Sequence, residues 1–100
     1  MKLYLDDVRI PPEGWALVSD AHQMIYLLEK KDKLKIDEIS LDHDLGNEIF
    51  GNGYDVLLWI EEKVFTENYK PPIIHIHTAN VSARKKMELA LNSIKKFLKE

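Results

Sequence analysis

The chain reads as one α/β domain built around a parallel sheet, and three observations lead there. Short apolar runs that end in an acid or a hydroxyl alternate with longer segments of helical periodicity. Prolines and glycines cluster between them. The 100 residues are enough for one hydrophobic core and near the commonest domain size. Strands that alternate with helices imply parallel crossovers, which are right-handed in nearly all cases.

Taken in order, Lys2 to Asp6 reads as a strand, apolar until it ends in acid. Pro11, Pro12 and Gly14 enforce a loop, and Trp15 to Ser19 forms a second strand. Asp20, with Gln23 three residues on, resembles a capping box that starts a helix running to about Lys31. Met24, Leu27 and Leu28 are its core positions. After a charged linker, Glu38 to Asp42 repeats the pattern of an apolar strand ending in acid. Gly46, Gly51 and Gly53, three of only four glycines, lie in the next loop, either as a mobile cover or as a plain turn. Tyr54 to Asn68 is helical, with Leu57, Ile60 and Val64 on one face. Pro71 and Pro72 precede a fourth strand, Ile73 to Thr78. A last helix from Ser82 to about Leu98 turns Met87, Leu91, Ile94 and Leu98 inward. Trp15 and Trp59 are assigned to the core. No repeat, low-complexity stretch or second domain interrupts residues 1–100.

Composition excludes several classes of function. With no cysteine there is no disulfide framework, thiolate nucleophile or thiolate metal site, and a cytoplasmic, reducing location is expected. No apolar run approaches the roughly 20 residues that span a bilayer, and Met1 leads directly into the first strand, so neither a membrane partner nor a secretory signal is expected. The net charge of −3 argues against coating DNA or RNA nonspecifically. Acids concentrate early (Asp6, Asp7, Asp42, Asp44, Glu48, Asp55) and bases late (Arg84, Lys85, Lys86, Lys95, Lys96, Lys99). The basic helix could approach a phosphate backbone or simply be a solvated face.

Parallel strands place their C-terminal ends on one edge, where open α/β sheets bind ligands. Asp6 and Asp7, Asp42 to Asp44, and His77 with Thr78 all end strands and are therefore expected to meet. Carboxylates brought that close repel unless a cation or proton intervenes. A divalent metal held by Asp6, Asp7, Asp42 and Asp44 answers this, and Mg2+ fits a set of hard oxygen ligands. The plainer reading is that acids mark where strands emerge into water. His75 and His77, two apart on one strand face, could as a pair ligate zinc or supply an acid and a base, or simply be buried histidines satisfied by hydrogen bonds. His77, at the strand end, is the better site candidate. His75 shares its face one layer deeper, where a structural role is expected. His43, flanked by acids, is either an imidazolium or an imidazole oriented by a carboxylate. Thr78, Asn80 and the helix start near Ser82 offer donors to an anion, or merely cap the helix. Arg9 either clamps a phosphate or pairs with the neighbouring acids.

Three segments resemble a response-regulator receiver domain: the strand-terminal pair Asp6 and Asp7; Ile39 to Asp42 followed by Gly53 to Ile60; and Pro72 to Ala79. The resemblance implies that Asp6 and Asp7 bind magnesium, that Asp42 accepts phosphate and that Thr78 contacts the phosphoryl group. Two departures stand out. The loop Arg9 to Gly14 replaces the first helix, and the chain ends before a fifth strand with its phosphate-contacting lysine. A narrower resemblance covers nearly the whole chain. Asp6 to Arg9, Pro12 to Trp15, Ser40 to Gly46, Gly51 to Asp55 and His77 to Asn80 are similar to the divergent cyclic-phosphate-processing receiver domains.

That resemblance implies a three-layer, flavodoxin-like α/β fold whose shortened, mostly parallel four-stranded sheet has the order 2-1-3-4 and lacks the fifth strand. It implies action on cyclic phosphates, including 2′,3′-cyclic ends of RNA, in repair or phage-conflict settings. The expected partner is therefore a phosphate-bearing small molecule or RNA end. The expected activity is a metal-assisted phosphoesterase. Asp42, His43 and His77 are the expected catalytic residues, and Arg9, Thr78 and Asn80 are expected to hold the phosphate. The rivals are a signalling module phosphorylated on Asp42 and a noncatalytic binder of phosphate-bearing ligands or proteins.

Overall fold

The computed structural model describes residues 1–46 and 48–98, so Lys99 of the basic segment lies outside it. Strands β1 (Lys2–Leu5), β2 (Trp15–Val18), β3 (Glu38–Leu41) and β4 (Ile73–Ile76) form one sheet. Its order is β2-β1-β3-β4, and every neighbouring pair is parallel. The helices are α1 (Ala21–Glu29), the single turn α2 (Lys31–Leu34), α3 (Gly53–Glu67) and α4 (Val81–Leu98), with a 3-10 turn at Glu48–Phe50. The receiver-like α/β fold and its strand order are as expected, with no fifth strand among the described residues.

The layer count differs: two layers form instead of three. The steps from β2 to β3 and from β3 to β4 run in the same direction across the sheet. Right-handed crossovers that step in one direction put their helices on one face. The connection that steps the other way, from β1 to β2, is the loop 6–14, which carries no helix. Accordingly α1 packs on α3, and α3 on α4, as one layer.

Alternation along the strands records this one-sidedness. Leu3, Leu5, Ile39 and Leu41 join Met24, Leu28, Leu57, Ile60, Met87 and Ile94 in a single buried cluster. Each such burial contributes roughly 1.5–3 kcal/mol, enough to hold helices whose ends are otherwise fixed only by caps. The opposite face carries Lys2, Tyr4, Trp15, Leu17, Glu38, Ser40 and His75, and Leu17 is 50% exposed there. Trp15 is thus not a core residue. It is half-buried on the uncovered face, edge-on to Tyr4 and His75, with the Lys2 ammonium over its ring. Trp59 is half-buried against the core and Tyr69.

Capping sets the helix ends. The Asp20 carboxylate accepts the Gln23 N–H at 2.7 Å and starts α1. Asn52 and Asp55 form a reciprocal capping box at α3, which ends at Asn68 in the left-handed conformation. The Asn80 side-chain oxygen accepts the Ala83 N–H at the start of α4. On α4 the buried face is Ala83, Met87, Ala90 and Ile94. Leu91 is only half-buried, and Leu98, in the last turn beyond Ile94, is 45% exposed.

Gly53 lets α3 start hard against the end of β3. A Cβ there would sit 1.9 Å from the Asp42 carbonyl oxygen and 3.0 Å from the Met87 methyl. The first of these is a backbone atom that cannot move aside cheaply. Gly53→Ala is therefore expected to cost about 3 kcal/mol, read as a lower urea midpoint at unchanged m-value. An unchanged midpoint would contradict this contact.

Candidate functional site

The sheet's hydrogen-bond ladder continues one residue past its strands. The N–H of Asp6 donates to the Val18 carbonyl at 3.1 Å, that of Asp42 to Leu5 at 3.0 Å, and that of His77 to Leu41 at 3.0 Å. Asp6, Asp42 and His77 therefore stand in one row at the C-terminal edge. By the two-residue period of a strand, they share the face of Tyr4, Ser40 and His75, the face without helices. Each offers one ligand atom, and these atoms lie within 4.8 Å of one another.

Asp6 is fully buried. Its Oδ1 accepts the N–H groups of Val8 at 2.9 Å and Arg9 at 3.0 Å, closing the turn that leaves β1. Its Oδ2 meets the Arg9 guanidinium at 3.5 Å and His77 Nε2 at 3.1 Å. Burial pushes the Asp6 carboxyl up, but the backbone donors of Arg9 and Val8, with His77, outweigh it and hold it below the usual carboxylate range. Asp42, also buried, accepts the His43 N–H on Oδ1 at 2.8 Å.

His77 reaches from β4 across β3 to β1, a span of roughly 10 Å between strand axes. Its ring stacks on Tyr4 with centroids 4.0 Å apart and planes 6° apart. Nδ1 lies 2.7 Å from Ser40 Oγ while Nε2 lies against Asp6. Burial pushes the imidazole below its ordinary value; the carboxylates of Asp6 and Asp42 oppose this, and Arg9 adds to it.

The other expected site residues take different places. Asp7 turns away from the row, as strand alternation requires, and accepts the Gly46 N–H, tying the loop after β1 to the loop after β3. Asp44 is exposed; it accepts His43 Nδ1 at 2.7 Å and the Asn80 amide at 3.4 Å. His43 holds its Asp44 carboxyl partner below the usual range. His43 Nε2 is buried and, among the described residues, is the one buried side-chain nitrogen or oxygen without a partner. Arg9 both pairs with Asp6 and donates to the His77 carbonyl at 2.8 Å. Thr78 is buried, its hydroxyl accepting the Asn80 N–H at 3.2 Å. His75 stays apart, paired with Glu38 at 2.9 Å.

Two participants escaped the sequence reading. Ser40 was read only as the first residue of the family-like segment Ser40 to Gly46 and given no role of its own, although its parity with Asp42 was a readable signal. Arg84, read only as part of a basic segment, turns back from α4 to donate to the Thr78 carbonyl at 2.8 Å.

Residues 1–93 match the family model described as the cyclic-phosphate processing receiver domain. The chain belongs to that family. Searches of curated proteins and of solved structures returned no match. Among the described residues of this receiver domain, no helix is long and apolar enough to cross a membrane.

Two buried carboxylates and one imidazole make a mixed oxygen and nitrogen donor set that suits a divalent metal ion. Asp7 and Asp44, expected alongside Asp6 and Asp42, have their carboxylates in the loop contacts above, and His77 stands in the row instead.

His77 also makes stability depend on pH. Its folded value lies below the ordinary 6.5, so the unfolded chain takes up the proton first as pH falls. Its contribution is complete above about pH 6.5 and declines below it. Asp6, with a lowered folded value, contributes above about pH 3.9, and that share is lost as pH falls through the folded value. In chelator-treated protein, the urea midpoint is expected to be lower at about pH 5 than at about pH 8. His77→Gln should shrink that difference, and an undiminished difference would remove His77 as its source.

Proposed function

We propose that this receiver domain is a metal-assisted phosphoesterase that opens cyclic phosphodiesters, with 2′,3′-cyclic phosphate ends of RNA or nucleotides as the substrate class. The observation that carries the reading is the row Asp6, Asp42 and His77, with ligand atoms within 4.8 Å, in a chain of a cyclic-phosphate processing family. Asp6, Asp42 and His77 would hold the ion. When bound, such an ion polarises a phosphoryl oxygen and makes its water more acidic. Mg2+ suits the carboxylates, and the imidazole admits Mn2+ or Zn2+ as well.

The protein's own groups do the rest. Arg9, half-exposed beside Asp6, offers a guanidinium to the phosphate's charge. Thr78 and Asn80, at the start of α4, offer a hydroxyl and an amide to its oxygens. With His77 holding the ion, His43 is the histidine left to carry a proton. Both ring nitrogens of His77 are engaged, whereas His43 is oriented through Nδ1 by Asp44 and keeps Nε2 without a partner. In the reaction, water adds to phosphorus and one phosphorus–oxygen bond of the ring breaks. His43 takes up on Nε2 the proton that the attacking water loses and delivers it to the departing ribose oxygen, and the product is a phosphomonoester.

Incubation with 2′,3′-cyclic nucleotides and cyclic-phosphate RNA in the presence of Mg2+, Mn2+ or Zn2+ tests the proposal. Turnover is expected, with His43→Ala slowing kcat by about 10²–10⁴-fold and Asp42→Asn abolishing the metal-dependent turnover. No turnover from folded protein in any combination would sink the enzyme reading. Two rivals are separable in the same samples. A mass increase after acetyl phosphate that is lost in Asp42→Asn would mark a signalling module, and ligand-induced stabilisation without turnover would mark a binder.

A further inference from the structure

We propose that Ser40 is the positioning residue that lets His77 exchange its Asp6 hydrogen bond for a metal ion without moving its ring. The inference rests on the metal centre of Asp6, Asp42 and His77 proposed above. It adds a residue that no catalytic expectation included.

Geometry assigns the protons. An ionised carboxylate only accepts, so the Nε2 of His77, 3.1 Å from Asp6 Oδ2, must be the donor. In the neutral ring Nδ1 then carries the lone pair, and the Ser40 hydroxyl, 2.7 Å away, must donate to it. That tautomer cannot bind a metal through Nε2. For Nε2 to face the ion in the row, it must release its proton to water while Nδ1 takes one up. The ring stays neutral and the proton count is unchanged. Nδ1–H then needs an acceptor in the same place, and a hydroxyl supplies one by rotating about its C–O bond. A carbonyl or amide N–H there could serve only one of the two states.

Three further features fit this role. Ser40 is buried, with 6% of its surface exposed, so water does not readily replace it. It sits on β3 beneath the ring that crosses from β4 to β1, where a larger side chain would obstruct the crossing. Tyr4, stacked at 4.0 Å, holds the ring plane, so the exchange proceeds by protons and hydroxyl rotation alone. A metal-bound histidine almost always donates its second ring nitrogen to such an acceptor, and losing the acceptor typically costs 10–100-fold in affinity.

Zn2+ titration of the whole chain at fixed pH, followed by long-range nitrogen–proton NMR of the imidazoles, tests this directly. Wild-type His77 should carry its proton on Nε2 without metal and on Nδ1 with it. Ser40→Ala removes one oxygen and adds no volume. It should keep the metal-free tautomer and the fold, yet bind Zn2+ about 10–100-fold more weakly at His77. Equal affinity in Ser40→Ala, or a metal-free wild type protonated on Nδ1, overturns the positioning role alone. If Zn2+ leaves the His77 signals of the wild type unchanged, the metal centre falls and this proposal falls with it.

Discussion

The parallel register of β1, β3 and β4 is the constraint on which the rest depends. Leu5 pairs with Leu41, and Leu41 with Ile76. The next residues on these strands, Asp6, Asp42 and His77, are held in line by the same backbone ladder. A slip of one residue would move every side chain to the other face. It would send the acids under the helices and the leucines into water. The hydrophobic pattern that buries Leu3, Leu5, Ile39 and Leu41 is thus also what keeps two carboxylates and a histidine together.

Asymmetry follows from one missing element. Because the loop from Arg9 to Gly14 carries no helix, the sheet has, among the described residues, helices on one face only. The row of chemical groups lies on the other. Asp6 is held there by the loop's own backbone, by Arg9 and by the His77 ring, not by a layer of helices. Arg9 also grips the His77 carbonyl, so a single side chain ties the turn after β1 to the end of β4. The same loop that departs from an ordinary receiver therefore closes over the edge where the candidate chemistry sits.

Much of this was legible in the sequence. Alternating apolar runs, paired prolines and capping residues located all four strands and the three longer helices, because each signal is local. The meeting of Asp6, Asp42 and His77 followed from topology, since parallel strands end on one edge. What stayed hidden depended on side-chain direction past the strand ends. Asp7 alternates away to Gly46, and Asp44 lies in a loop where strand parity no longer holds, so neither joins the row. Ser40 was hidden for the opposite reason. It is a small mid-strand residue whose meaning comes only from the His77 ring passing over it. The second layer of helices was expected by analogy, although the helix-free loop already argued against it.

The central claim is that Asp6, Asp42 and His77 form one metal centre, and anomalous diffraction from a crystal equilibrated with Mn2+ tests it most directly. The account predicts a single strong anomalous peak within bonding distance of one oxygen each of Asp6 and Asp42 and of His77 Nε2. A peak among Asp7, Asp42 and Asp44 instead, or none at saturating Mn2+, would contradict it.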